Sequence, residues 1–593
     1  MFICTIILIN MGKINGKQIL VIGLLALLAY SRFINLGWGL PYPMHPDERN
    51  MATAIQQLNC QSPVISLNLP KSIFGNWEPV STWFKIIKPF DFLNCFNPHF
   101  FAYSQFPLYL GYLIVFILKF FDGDMGFPIS FDEAVLSLRL ISAVASIINF
   151  IIIIKIINFI IQKKSLLSYL IIIFSPYAIQ FAHFGTTESL LMMFYSGIIY
   201  LSLLFIDKNI STSAFVANSS IVVGLSLATK VSSAIFLIVP FTVLLFSFEE
   251  LKLKTSLYKS KNLFIFFAYR FVSKIIDLSV FAFLTVVIFI FFSPHNFINF
   301  KDFISSMNYE SEVALGRSLV FYTRQFFNTV PVLFQLDKIF PYVLGWPIFL
   351  MGIIGLIGLN WKDKKINLLR FTFLVYFIPS AFIYAKWSRF MAPILPLITI
   401  FAILFLLRIK VINFIKIIIV IIAILPGLAY LSVYQNLDVR YKASEWIYKN
   451  IPNNSYILFE TANVVDVPIN NETMKQLNNY NAVSFNFYDL DISKELQSRL
   501  ISEIEKADYI FIPSRRIFAN HPKKTYPVLN KYYEDLFSGK LGFEKVAEFD
   551  SFPKICLPFT NNCLEFPDEE AEETWTVFDH PVIRIYKRVV KKS

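Results

Sequence analysis

The sequence predicts a polytopic α-helical membrane protein of about eleven transmembrane helices with a C-terminal soluble α/β domain. Three observations predict it. The chain is 56% hydrophobic and 17% aromatic, above the roughly 45–50% apolar content of soluble domains. Apolar runs, each long enough for a hydrocarbon core of about 30 Å, recur from Ile19 to Leu431. After Tyr434 they stop, and from about 436 short strand-like and amphipathic segments alternate. The expected division is 1–435 for the membrane part and 436–593 for the soluble part.

The apolar runs fall near 19–36, 103–121, 133–160, 166–182, 189–206, 212–228, 231–247, 275–293, 341–359, 367–385, 390–408 and 411–431. Before the first, "MFICTIILINMGKINGKQ" has too short an apolar stretch for a cleaved signal peptide, so the run near 19–36 reads as an uncleaved span. Parity then turns on 103–121, which either spans or lies along the interface. If it lies along the interface, Lys163/Lys164, Lys208, the Lys252 to Lys274 loop, "WKDKK" at 361–365 and Arg408/Lys410 all become cytoplasmic. Cytoplasmic loops carry an excess of Lys and Arg, which prefers this eleven-span arrangement, in a prokaryotic plasma membrane. The same clustering in short connectors assigns the net charge of +12 to topology rather than to nucleic acid. The outer face then collects a first long loop (about 37–132), the turn 181–189, a second long loop (about 294–340) and the C-terminal tail.

In the tail, "SYILFE" (455–460), "DYIFIPS" (508–514) and "HPVIRIYKR" (580–588) read as strands and "SKELQSRLISEIEKA" (493–507) as an amphipathic helix, an alternation that suits a small α/β domain. Five cysteines without CxxC spacing are too few for a disulfide scaffold. Cys60/Cys95 and Cys556/Cys563 are the pairs an oxidising compartment would allow, with free thiols the preferred reading.

Charge concentrates at outer span ends. "GWGLPYPMHPDERN" (37–50) packs His45, Asp47, Glu48 and Arg49 just past the first span. The carboxylates suit a helix cap and first turn, where the dipole favours negative charge, and equally suit a site if partners exist. Candidate partners are His183 and Glu188 in "FAHFGTTES", which taken alone would be a cap and an interface residue. Positive charge on the outer side runs against the insertion bias. Arg139, Lys230 in "LATKVSSA", and Lys386 and Arg389 in "AKWSRFMAPILP" are there either to snorkel to headgroups or, beside carboxylates, to hold an anion such as a phosphate. The second long loop, with Glu310, Glu312, Arg317, Tyr322 and Arg324, either closes over a cavity or simply packs, and Arg317 is its substrate-binding candidate.

Together, the HPDE loop, "SPYAIQFAHFGTTES", "LATKVSS", "NYESEVALGRSLVFYTRQF", "KWSRFMAPILPLI" and a tail from "RYKASEWIYKNIP" to "EETWTVFDHPVIRIYKR" resemble the glycosyltransferase-C superfamily. Within it they are most similar to the protein O-mannosyltransferase and aminoarabinose-transferase group. The resemblance runs along essentially the whole chain. It implies an inverting glycosyltransferase that takes a sugar from a polyprenyl-phosphate donor to a protein, lipid or glycan acceptor at the extracytoplasmic face. The family's first-loop acid corresponds to Asp47, with Glu48 beside it. Its second-loop acid, often Asp, corresponds to Glu188, and its phosphate-binding cations to Lys230, Lys386 and Arg389. Asp47 would accept the acceptor's proton, the cations would stabilise the departing phosphate, and Glu188 and His183 would orient the substrates. The acids are numerous enough for Mg²⁺ or Mn²⁺, but the mannosyl and aminoarabinosyl relatives need no metal and the WWD-type motif of oligosaccharyl relatives is absent, so no cofactor is expected. The rival classes are a transporter or lipid flippase, which would place charges midway through spans and show repeat symmetry, and a non-catalytic scaffold.

Overall fold

The computed structural model describes residues 16–58, 95–123, 128–162, 166–246, 263–460, 465–469, 479–557 and 562–589. Cys60 and Lys163/Lys164 lie outside the described residues. Each apolar run is mostly helical over its described part. Five helices are long and apolar enough to cross a bilayer alone: Phe131–Ile161, Glu188–Ile206, Phe271–Phe292, Ser388–Arg408 and Asn413–Gln435. Gln335–Leu344 and Trp346–Gly358 form a sixth candidate as a pair bent by 116°. Gln18–Phe33, Phe106–Phe121, Thr212–Leu227 and Val231–Phe246 are shorter apolar helices. The run whose spanning decided the parity is in this shorter class.

Two of the runs are broken for local reasons. The run near 166–182 divides into Leu166–Ile173 and Pro176–His183. Pro176 drives the preceding Ser175 into extended backbone, φ −80° and ψ 123°. The bent pair turns at Gly345, whose φ of 78° belongs to the left-handed region that side chains avoid. Elsewhere polar caps start the helices. Ser130 and Glu133 form a reciprocal capping box before Phe131–Ile161, and Asp363 and Asp438 cap Lys364–Phe382 and Val439–Asn450.

The tail builds a five-stranded sheet of β1 (Tyr456–Glu460), β2 (Asn481–Phe485), β3 (Tyr509–Ile512), β4 (Phe543–Phe549) and β7 (Ile583–Arg588), in the order β2-β1-β3-β7-β4. β1 pairs in parallel with β2 and β3, while β7 runs antiparallel to β3 and β4. Alternate residues face opposite sides. Leu458, Ile510 and Ile512 pack with the helices Lys494–Lys506 and Pro527–Phe537, and Ile457, Tyr509, Phe511 and Ile585 with Val439–Asn450. The three expected strands and the helix are present, and β2 and β4 join them. A separate hairpin, β5 (Lys554–Cys556) and β6 (Cys563–Glu565), is closed by a Cys556–Cys563 disulfide. This corrects the free-thiol reading for that pair, because the hairpin register sets the two residues directly opposite. Among the described residues Cys95 has no disulfide partner.

The sheet domain is fastened to the membrane helices through residues 568–580. Asp579 Oδ2 accepts from the hydroxyls of Tyr430 (3.0 Å) and Tyr434 (2.8 Å) and from Gln180 Nε2 (3.2 Å). Its other oxygen bonds His580 Nδ1 at 2.6 Å, and His580 Nε2 meets Asp568 at 2.9 Å. Burial lowers the His580 pKa, but the two carboxylates outweigh it and push it up to about 10. Trp575, 1% exposed, sits within the core of the membrane helices.

Candidate active site

His45 caps the helix Pro46–Gln57, its Nδ1 accepting from Asp47 N at 3.2 Å. The two acids of the first turn, successive residues on a helix, point in different directions. Glu48 turns into the protein. Arg139 grips it with Nε (2.7 Å) and Nη2 (2.8 Å), and the same guanidinium donates to the carbonyls of Leu36 (2.7 Å) and Trp38 (2.6 Å). Gly185 N adds a bond to Glu48 at 2.7 Å. A Cβ on Gly185 would stand 2.7 Å from Leu138 and 2.9 Å from Glu48 Oε1, so only glycine lets that amide approach.

Asp47 faces the opposite way and accepts a hydrogen bond from Arg389. Arg389 lies over the Trp387 ring, 4.7 Å from its centroid. Its Nε is buried without a hydrogen-bond partner among the described residues. Lys230, in the turn before Val231–Leu237, brings Nζ to 3.9 Å from Glu188 at the start of Glu188–Ile206. The ammonium also rests over Tyr103 (4.9 Å) and Phe390 (5.5 Å). Lys230 is charge-coupled to Asp47 and Arg389 as well, so two acids and two bases from four separate segments form one cluster. Burial raises the Asp47 pKa, but Arg389 first, then His45 and Lys230, bring it below the usual carboxylate range. Burial lowers Lys230 against the pull of Glu188. A narrow recess lined by His45, Glu188, Ser388, Arg389, Thr574 and Phe578 lies beside the cluster.

Of the ten residues singled out from the sequence, Asp47, Glu188, Lys230 and Arg389 come together. His45 supports them from behind, wedged between Phe184 (4.7 Å) and Phe578 (4.4 Å). The others lie outside this cluster. Glu48 and Arg139 are buried and bonded to one another and to backbone groups, turned away from the cluster. His183 is stacked on Tyr434 at 3.9 Å, and its two ring nitrogens each lie 2.8 Å from a carbonyl oxygen, those of Ile179 and Ile34. Lys386 turns to the Tyr384 carbonyl at 3.1 Å. Arg317 is exposed and forms no ion pair among the described residues. Asp47, chosen as the proton acceptor, is engaged by Arg389 and is thereby a weaker base.

Three further residues join the cluster. Tyr103, buried before Phe106–Asp122, faces Asp47 and Arg389. Glu310, on Phe300–Ala314, faces Arg389, Lys230 and Asp47. Glu572, from the tail, accepts from Ser388 N at 3.0 Å and Gln325 Nε2 at 2.9 Å and acts on Arg389. The only sequence signal for Glu572 was the acid-rich "EETWTVFDH". Among the described residues no group of three or more His, Cys, Asp or Glu side chains is arranged to hold a metal ion.

Residues 107–273 match the family model described as dolichyl-phosphate-mannose-protein mannosyltransferase. That segment contains Glu188 and Lys230; Asp47 and Arg389 lie outside it. No curated protein matches the chain by sequence. Among solved structures the chain is similar to ArnT from Cupriavidus metallidurans in the apo state, at 13% identity and a TM-score of 0.41, covering 74% of this chain and 65% of that one. The same protein bound to undecaprenyl phosphate aligns over 95% of this chain and 97% of that one, at 11% identity and a TM-score of 0.43. The Archaeoglobus fulgidus oligosaccharyltransferase in the apo form aligns over 87% and 72%, at 12% identity and a TM-score of 0.45. The resemblance read from the motifs thus has a family-model match behind it over its central part.

Proposed function

We propose that the chain is an inverting membrane glycosyltransferase that moves a sugar from a polyprenyl-phosphate donor to a hydroxyl of a protein, lipid or glycan at the extracytoplasmic face. One observation carries the reading: the half-buried Arg389 keeps an unsatisfied Nε beside Lys230, at the outer end of a span. A buried donor left without a partner costs about 1–3 kcal/mol, and a phosphate oxygen is the acceptor that a guanidinium fork and an ammonium together suit best. Asp47 aims Arg389 and Glu188 steadies Lys230. As the bond from the anomeric carbon to the phosphate breaks, charge grows on the phosphate where the two cations already stand. A single displacement inverts the anomeric centre.

The topology supports an outward-facing site. Glu188–Ile206 is 19 residues long, so its ends are roughly 28 Å apart. At the end away from Glu188, Asp207 pairs with Lys365 (3.1 Å) and Asp363 with Arg408 (3.3 Å), among the basic connectors assigned to the cytoplasm. On the outer side, a cleft of about 1250 Å³ between the second long loop and the sheet domain is lined by Gln325 and Glu572, both linked to Ser388's neighbourhood, and offers the acceptor an approach.

The test is transfer from radiolabelled undecaprenyl- or dolichyl-phosphate mannose into a membrane extract by the purified chain. Label should leave the lipid fraction. No transfer from either lipid, together with no binding of undecaprenyl phosphate, would abandon the proposal.

A further inference from the structure

The helix that carries Arg389, Ser388–Arg408, begins without a cap from its own segment. Trp387 precedes it, and its side chain makes no capping hydrogen bond. The first N–H groups of a helix have no partner within it. Ser388 N, one residue before Arg389, finds its partner 184 residues later, in the tail, where Glu572 Oε2 accepts it at 3.0 Å. A carboxylate on a backbone N–H belongs to the stronger class of hydrogen bonds.

The same carboxylate is gripped from two other sides. Thr574 donates its hydroxyl to Oε2 (2.6 Å) and its N–H to Oε1 (3.1 Å), and Gln325 Nε2 of the second long loop donates to Oε1 at 2.9 Å. Backbone bonds fix the place from which Glu572 reaches out. Glu572 N donates to Lys338 O at 2.8 Å, and Glu573 N to Gln325 Oε1 at 3.4 Å. Glu572 is 1% exposed, so water poorly replaces a partner lost here. The loop also holds the stretch before Arg389 from a second direction. Phe326, next to Gln325, meets the Trp387 ring edge-on at 5.8 Å, and Arg389 rests over that same ring.

We propose, on the reading of the site as a sugar transferase, that Glu572 is a positioning residue for Arg389. It supplies from the tail the cap that Ser388–Arg408 lacks, and so fixes the direction from which the guanidinium meets the donor's phosphate. In this role Glu572 touches no reacting atom. Asp47 and Trp387 hold the head of the Arg389 side chain, while the cap holds its root. Where orientation sets the rate, a misplacement of about 1 Å costs on the order of 10²-fold. The soluble domain is then part of the phosphate site, joined to it through one carboxylate that the second long loop also grips.

The test is a double-mutant cycle in the full-length chain, read as the Kd for undecaprenyl phosphate in detergent. Glu572→Gln leaves one acceptor oxygen where the site uses two. Its Kd should rise at least ~10-fold, the scale of one hydrogen bond to a charged group. In an Arg389→Ala background the same change should shift Kd by less than about 2-fold, because residues that act as one unit do not add. Gln325→Ala loosens the carboxylate from the loop side. It should give a smaller loss with the same dependence on Arg389, and it decides the question should Glu572→Gln fail to fold. An unchanged Kd, or equal losses with and without Arg389, would overturn the assignment. A wild-type chain that neither binds undecaprenyl phosphate nor transfers sugar would instead remove the sugar-transferase reading itself.

Discussion

Two ion pairs stand back to back on the first turn of Pro46–Gln57, built from the same groups and put to opposite uses. In the inner pair, Arg139 and Glu48 have side chains 2% and 2% exposed; in the outer pair, Arg389 and Asp47 are 20% and 18% exposed. The inner guanidinium spends its donors on two carbonyls and a carboxylate, and the inner carboxylate gains an amide. The outer guanidinium keeps a buried Nε free. Charge at a membrane edge is therefore not in itself a sign of function. On the proposed function, the inner pair is structural and the outer pair, with its unpartnered Nε, is the one a phosphate would meet.

Breaking each pair should separate these roles. The largest effect on stability is expected from Glu48→Gln, which leaves Arg139 buried and uncompensated, a loss of about 3–5 kcal/mol. Thermal unfolding in detergent checks it, and the double variant Glu48→Gln/Arg139→Met should recover much of the loss. Asp47→Asn and Arg389→Lys should leave the unfolding temperature nearly unchanged while lowering transfer by roughly 10²–10³-fold, the scale of removing one preorganised charge contact. If Asp47→Asn instead unfolds the chain, the contrast between the pairs fails.

A third buried charge cluster sharpens the comparison through pH. The His580 pKa lies above its unfolded value, raised to about 10. Its pairing with Asp568 and Asp579 thus contributes full stability below about pH 6.5, the unfolded value, and loses it progressively as pH rises towards 10. The difference in unfolding temperature between the wild type and His580→Gln should shrink over that window. The smallest effect belongs to Arg317→Ala, expected to leave transfer within about twofold, because an exposed cation without a partner contributes little.

How much of this was legible depended on the range of the interaction. The apolar runs, the tail strands at 456–460, 509–512 and 583–588, and the helix at 494–506 could be read because period and length are local properties. β2 was missed because "NAVSF" is an edge strand with mostly exposed residues and lacks the apolar alternation of a buried one. Asp47, Glu188, Lys230 and Arg389 could be found because charge at the end of an apolar run is conspicuous against apolar sequence. His183 drew notice for the same reason but lies outside the cluster. A histidine beside a carboxylate looks chemical, yet here Tyr434, some 250 residues later, covers its face and its nitrogens lie against two backbone carbonyls.

By itself, then, composition and pattern determined a membrane protein, the rough position of its helices, the change to an α/β tail, and a set of charges at one end of the spans, since each follows from the cost of placing a given side chain in hydrocarbon or water. Only the tertiary structure decided which charges neutralise one another completely and which keep a free lone pair or N–H. That depends on partners brought from loops and tail, such as Glu310 and Glu572, and hydrogen-bond saturation is a property of three-dimensional neighbours that no local window contains.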